Sequence, residues 1–101
     1  MNDDRAALIE CARAALVNRW PEQAAELHDL LSAYAFRYEA RLTKDDSRRL
    51  LARVDQLAGA LPSEAAEIVR LAKLAYTIRA HTSDQMYQTE LREACLRLQN
   101  A

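Results

Sequence analysis

Two short phrases fix the joints of this chain. "NRWPEQAAELHDL" at residues 18–30 returns in altered form as "GALPSEAAEIVRL" at residues 59–71. Each sets a proline inside otherwise helix-favouring sequence. A proline has no N–H to donate and its ring clashes with the preceding turn, so a helix does not run through it undisturbed. The same residue suits the first turn of a new helix, where its N–H would lack an intrahelical partner anyway. Pro21 and Pro62 therefore each separate two helices, and Trp20, pushed out of the α region by Pro21, is a junction residue.

The correspondence extends beyond the phrases. Laying Pro21 on Pro62 also lays Asn18 on Gly59, the residue types that best adopt the left-handed helix-ending conformation. Ile9 then falls on Leu50, Leu16 on Leu57, Leu27 on Ile68 and Leu30 on Leu71. "TKDD" at 43–46 and "TSDQ" at 82–85 match as capped helix entries, Thr43 with Asp46 and Thr82 with Gln85. Past a small gap, Leu50, Val54 and Leu57 fall on Leu91, Cys95 and Leu98. A period of about 40 residues is that of helical-hairpin arrays. The Trp, Gly and Tyr spacing of tetratricopeptide units is missing.

This punctuation and the apolar periodicity predict five helices. The first runs from about 3 to 18 and carries Ile9, Ala12 and Leu16. The second opens at Pro21, carries Leu27, Leu30, Leu31, Tyr34 and Tyr38, and ends near Arg41 or Leu42. The third follows Thr43, with Leu50, Leu51, Val54, Leu57, Ala58 and Leu61 in one stripe, closed by Gly59 and Pro62. The fourth covers about 63–80. Its apolar arc is so wide, with Ile68, Val69, Leu71, Ala72, Leu74, Ala75, Tyr76 and Ile78, that it is expected to be the most buried. The fifth shows Tyr87, Leu91, Ala94, Cys95 and Leu98. One glycine and two prolines among many Ala, Leu, Glu and Arg residues fit this reading. No strand-length alternation of β-branched residues competes with it. The expected fold is all-α: one helical domain over 1–101, two tandem αα-hairpins plus a C-terminal capping helix, stacked as a short helical repeat or closed as a compact bundle.

With half its residues apolar and 29% charged, the chain has the balance of a folded protein. A net charge of −1 gives no global pull toward nucleic acid or an anionic membrane. "MNDDRAALIE" is acidic where a secretory signal is basic and then apolar, and no apolar run approaches the roughly 20 residues that span a bilayer. A soluble, cytoplasmic protein is expected. Cys11 and Cys95 are too few and too far apart for a disulfide framework or a metal knuckle, and read as small reduced hydrophobes.

Catalytic signals are weak. His28 sits between Leu27 and Asp29 and reads as a surface residue; His81 lies in a turn. Neither has a Glu three positions before it, and HExxH, a phosphate loop and a nucleophile elbow are all absent. The expectation is a protein with no cofactor and no enzymatic activity.

Basic residues cluster more tellingly. Arg37, Arg41, Lys44, Arg48, Arg49 and Arg53 crowd one segment opposed only by Glu39, Asp45 and Asp46. Beside them "SAYAFRYEA" at 32–40 turns Phe36 about 200° from Tyr34, so this helix is apolar on two sides. Phe36 is expected to be sandwiched between neighbouring helices; otherwise it is an exposed aromatic for a partner. Phe36, Arg37, Tyr38, Arg41, Arg48, Arg49 and Arg53 are the candidate partner-binding residues, because aromatic and Arg side chains dominate interface energetics. The functional expectation is a small helical protein that acts by binding another protein, as an adaptor, chaperone-like cofactor or inhibitor. The alternative is a nucleic-acid-binding protein using the basic patch of 37–53. Self-association stays open, since a second copy of the chain can complete an unfinished helical array.

Overall fold

The computed structural model describes the backbone of residues 3–77 and 81–100, and the side chains of 6–77 and 86–100. Five helices follow in order: α1 (Asp3–Leu16), α2 (Pro21–Ala35), α3 (Lys44–Gly59), α4 (Ser63–Thr77) and α5 (His81–Asn100). Both prolines act as expected. Pro21 is the first residue of α2, where the Trp20 carbonyl accepts from the Ala24 N–H at 2.9 Å. Pro62 directly precedes α4, and its carbonyl accepts from the Ala66 N–H at 2.8 Å. The left-handed stops are not where the aligned phrases put them. Gly59 is the last residue of α3, and among the described residues only Arg41 has a positive φ, at 57°. Ile78 and the proposed Thr82–Gln85 cap lie outside the described residues or side chains.

The second helix also ends differently from the expectation. Regular helix stops at Ala35 and the chain makes one looser turn before α3. The cause lies at the Tyr34 carbonyl, which accepts from the Arg37 N–H at 3.2 Å and from the Arg37 guanidinium Nη1 at 2.8 Å. A tight three-residue bond and a side chain thus occupy the acceptor that a continuing α-helix would use four residues on. The looser turn then closes near the residue where the helix was expected to end. The Leu42 N–H donates to the Arg37 carbonyl at 2.8 Å and the Arg41 N–H to the Tyr38 carbonyl at 3.1 Å. That is a Schellman closure with Arg41 in the position glycine prefers. A Cβ in the left-handed region costs roughly 1 kcal/mol. Arg41→Gly is therefore expected to raise stability by about 0.5–1 kcal/mol, read as a higher urea midpoint at unchanged slope. A lower midpoint would mean that the arginine side chain contributes more than its backbone geometry costs.

Thr43 caps α3 as its sequence requires. The Asp46 N–H donates to the Thr43 hydroxyl oxygen at 3.0 Å and the Thr43 N–H donates to the Asp46 carboxylate at 3.1 Å. The Thr43 backbone bond, then its hydroxyl, hold the Asp46 carboxyl below the usual carboxylate range, with Arg49 adding to the effect. A depressed folded-state pKa contributes stability that is present above the unfolded value and lost as pH falls through the folded one. Asp46→Asn is thus expected to be less stable than wild type at neutral pH, and the gap to close below about pH 4. Denaturation at a series of pH values checks this; a gap independent of pH would sink it.

Packing centres on α4, as its wide apolar arc predicts. Ala65, Ala66, Ile68, Val69, Leu71, Ala72, Ala75 and Tyr76 are all buried. The helix touches α1, α2, α3 and α5. Alanines at 12, 24, 65, 66 and 72 sit fully inside, and such small side chains let helix axes approach toward the close end of their usual range. The contact pattern decides between the two arrangements. A stack of repeated hairpins sets the first helices of successive units side by side, here α1 on α3 on α5. Among the described residues neither of those contacts exists, and α1 packs on α5 instead. The chain is a closed bundle wrapped around α4. Its radius of gyration of 12.8 Å agrees with the roughly 13 Å of a compact chain this long. Leu50 and Leu51, expected in the α3 core stripe, are only half-buried at the start of that helix. No described helix is long and apolar enough to cross a membrane.

Candidate functional site

The turn after α2 and the first turns of α3 flank an open groove of about 380 Å³, lined by Tyr34, Arg37, Tyr38, Leu42, Thr43, Lys44, Ser47, Arg48 and Leu51. Arg37 is its organising residue. The guanidinium carbon lies 4.1 Å from the Tyr34 ring centroid and 4.5 Å from that of Tyr38, so the cation stacks against both rings. Contacts of this kind contribute about 0.5–1 kcal/mol each at exposed sites. The bond from Nη1 to the Tyr34 carbonyl fixes the third direction. Tyr34, Arg37 and Tyr38 meet because residues three and four apart share a helical face. The loosened turn keeps that register.

Lys44 and Arg48 stand on the opposite wall, one helical turn apart. No acidic side chain lines the groove. Arg48 reaches Asp45 at 3.4 Å on a fully wet surface, a pairing that contributes little. Arg37 and Lys44 have no ion-pair partner among the described residues. The groove thus offers three cations, two phenol rings and the apolar edges of Leu42 and Leu51. Arg37 donates from Nη1 to the Tyr34 carbonyl and from Nη2 to the Tyr38 hydroxyl at 3.4 Å, and its remaining guanidinium donors suit carboxylate and phosphate oxygens.

The seven residues expected to bind a partner divide under this geometry. Arg37, Tyr38 and Arg48 line the groove. Arg41 and Arg49 are exposed near it but do not line it. Arg53 points elsewhere: its Nε bonds one Glu26 carboxylate oxygen, its Nη2 donates to the other at 2.9 Å, and its Nη1 donates to the Gln56 side-chain oxygen at 3.1 Å. This pair braces α2 against α3, and the Arg53 hydrogen bonds hold the Glu26 carboxyl below its ordinary range. Phe36 is neither sandwiched between helices nor in the groove. It is 63% exposed, and it borders a second cleft of about 250 Å³ with Ile9, His28, Ser32, Ala35, Glu39 and Tyr76. Tyr38 is also outward-facing, at 69%. Tyr34, read as a core residue, is half-buried and forms the groove wall. Its i, i+3, i+4 spacing with Arg37 and Tyr38 was the signal that could place it there.

His28 is part-exposed, with Nδ1 3.7 Å from an Asp29 carboxylate oxygen. The side chain of His81 lies outside the described ones. Among the described residues no group of three or more His, Cys, Asp or Glu side chains converges as a metal site. Comparison with protein-family models, with curated proteins and with solved structures finds no match to this chain.

Proposed function

We propose that the protein is a non-enzymatic binding module that takes an acidic segment of another protein into the groove between the α2 turn and α3. The observation that supports this reading is Arg37, fixed between Tyr34 and Tyr38 and joined by Lys44 and Arg48, with no acidic side chain in the lining. Immobilised aromatic and Arg side chains form the strongest contacts in protein interfaces, because little rotamer freedom remains to be lost. Carboxylates flanked by an aliphatic residue complement the groove: the acid meets the cations and the aliphatic group meets Leu42 and Leu51. The same reading takes the protein to be cytoplasmic, in keeping with the free thiols of Cys11 and Cys95.

Selection from a random peptide display library tests the proposal. Wild type is expected to enrich acidic sequences with adjacent apolar residues, and an Arg37→Glu/Arg48→Glu variant to lose that enrichment. Equal enrichment on both proteins, or none on either, would overturn it. Titration of labelled single-stranded and duplex DNA and RNA at low and moderate salt separates the nucleic-acid reading. Binding to an oligonucleotide tighter than to any selected peptide, falling steeply with salt, would transfer the groove to that class of ligand.

A further inference from the structure

We propose that Cys11 and Cys95 form an oxidation site, a thiol pair that closes to an intramolecular disulfide between the first and last helices. The two residues lie near opposite ends of the sequence, yet α1 packs directly on α5. Cys95 is 1% exposed within the core, and Cys11 is half-buried and packs against that same core. Cys11 is the neighbouring side chain that acts on the Cys95 thiol, across the interface between α1 and α5. Ala12 and Ala15 of α1 and Ala94 of α5, their near neighbours in sequence, are buried, and small side chains let packed helix axes approach closely. Both thiols are free in this structure.

The asymmetry between the two cysteines assigns their roles. Cys11 has solvent access and is the one a small oxidant reaches. Burial, then the neighbouring Cys11, push the Cys95 thiol up to about 12, so it is a poor attacking group toward solvent. It serves as the resolving thiol. With a hydroperoxide as oxidant, the Cys11 thiolate attacks the distal peroxide oxygen; the O–O bond breaks, the leaving oxide takes a proton and Cys11 becomes a sulfenic acid. Cys95 sulfur then attacks the Cys11 sulfur, the S–O bond breaks, and the Cys95 proton leaves with the hydroxyl as water. Two thiols lose two electrons and two protons in all, and the peroxide is reduced to water and an alcohol, or to two waters for hydrogen peroxide. The new bond closes a loop of about 85 residues, and loops of that length constrain the unfolded chain strongly.

Treating the folded wild type with hydrogen peroxide, then blocking thiols under denaturing conditions, tests the proposal. The expected product is a monomer lighter by two hydrogens, with neither cysteine blocked. Trypsin is expected to release peptide 6–13 joined to peptide 93–97. The unfolding temperature is expected to rise by about 10 °C or more and to return on addition of dithiothreitol. Cys95→Ser is expected to stop at an oxidised Cys11, detectable with a sulfenic-acid reagent, and Cys11→Ser to stay a thiol. A Cys95 that remains fully blockable in oxidised wild type would overturn the inference. So would a disulfide found only between two chains. Neither depends on a variant folding.

Discussion

Ile68→Ala is expected to cost about 3–4 kcal/mol. Ile68 is 0% exposed on the helix that touches every other helix of the bundle. Truncation removes three side-chain carbons from water-free packing and leaves a cavity that the surroundings fill poorly. Collapse is hindered because α4 is held by the other four helices at once, so it cannot shift toward one without losing contacts with the rest. A chain of this length has a total stability of about 5–15 kcal/mol, so the loss is a large share of the whole. Urea denaturation of the variant is the measurement, with Leu96→Ala as the contrast. Leu96 is 57% exposed, and its truncation is expected to stay within about 0.5 kcal/mol. An Ile68 variant within 1 kcal/mol of wild type would mean that α4 is not the centre of the core.

The centrality of α4 was legible because Ile68, Val69, Leu71, Ala72, Ala75 and Tyr76 confine its polar side chains to one stripe of Glu64, Glu67, Arg70 and Lys73, and a helix with so wide an apolar arc must be packed on several sides. The capped start of α3 was legible because Thr43 and Asp46 need only each other. What could not be read depends on distant partners. The aligned phrases around Pro21 and Pro62 describe the same joint twice, but a joint of this kind serves a stack and a bundle equally. Only the docking of α1 on α5 separates them. Charge density misled for the same reason. Arg53 looked like part of one basic patch, whereas the fold sets it against Glu26, far back in the chain. Tyr34 and Arg37 fit a continuing helix by composition, and the break at Ala35 follows from one guanidinium reaching one carbonyl. The thiol pair escaped notice because its members are nearly as far apart in sequence as the chain allows.

Charge reversal at Arg37 is expected to weaken binding of a selected acidic peptide by 100-fold or more, about 2.7 kcal/mol. Two losses combine in that value. Glutamate repels the peptide carboxylate, and it also releases Tyr34 and Tyr38 from the stack that holds the groove wall rigid. Arg37→Lys separates the two. A lysine keeps the charge but not the flat, stacked fork of donors, so a loss of roughly 10-fold is expected if planar recognition matters and almost none if charge alone does. Arg53→Glu is the control within the same basic segment. It breaks the brace to Glu26 and is expected to lower stability slightly while leaving the peptide dissociation constant within about twofold. Isothermal titration of the three variants at two salt concentrations gives all the required values. Should Arg53→Glu weaken binding as much as Arg37→Glu, recognition would be set by the net charge of the segment and not by the stacked groove. An unchanged affinity in Arg37→Glu would remove the groove from the function altogether. The stacked geometry of Arg37, not the number of arginines around it, is what distinguishes this site from an ordinary wet basic surface.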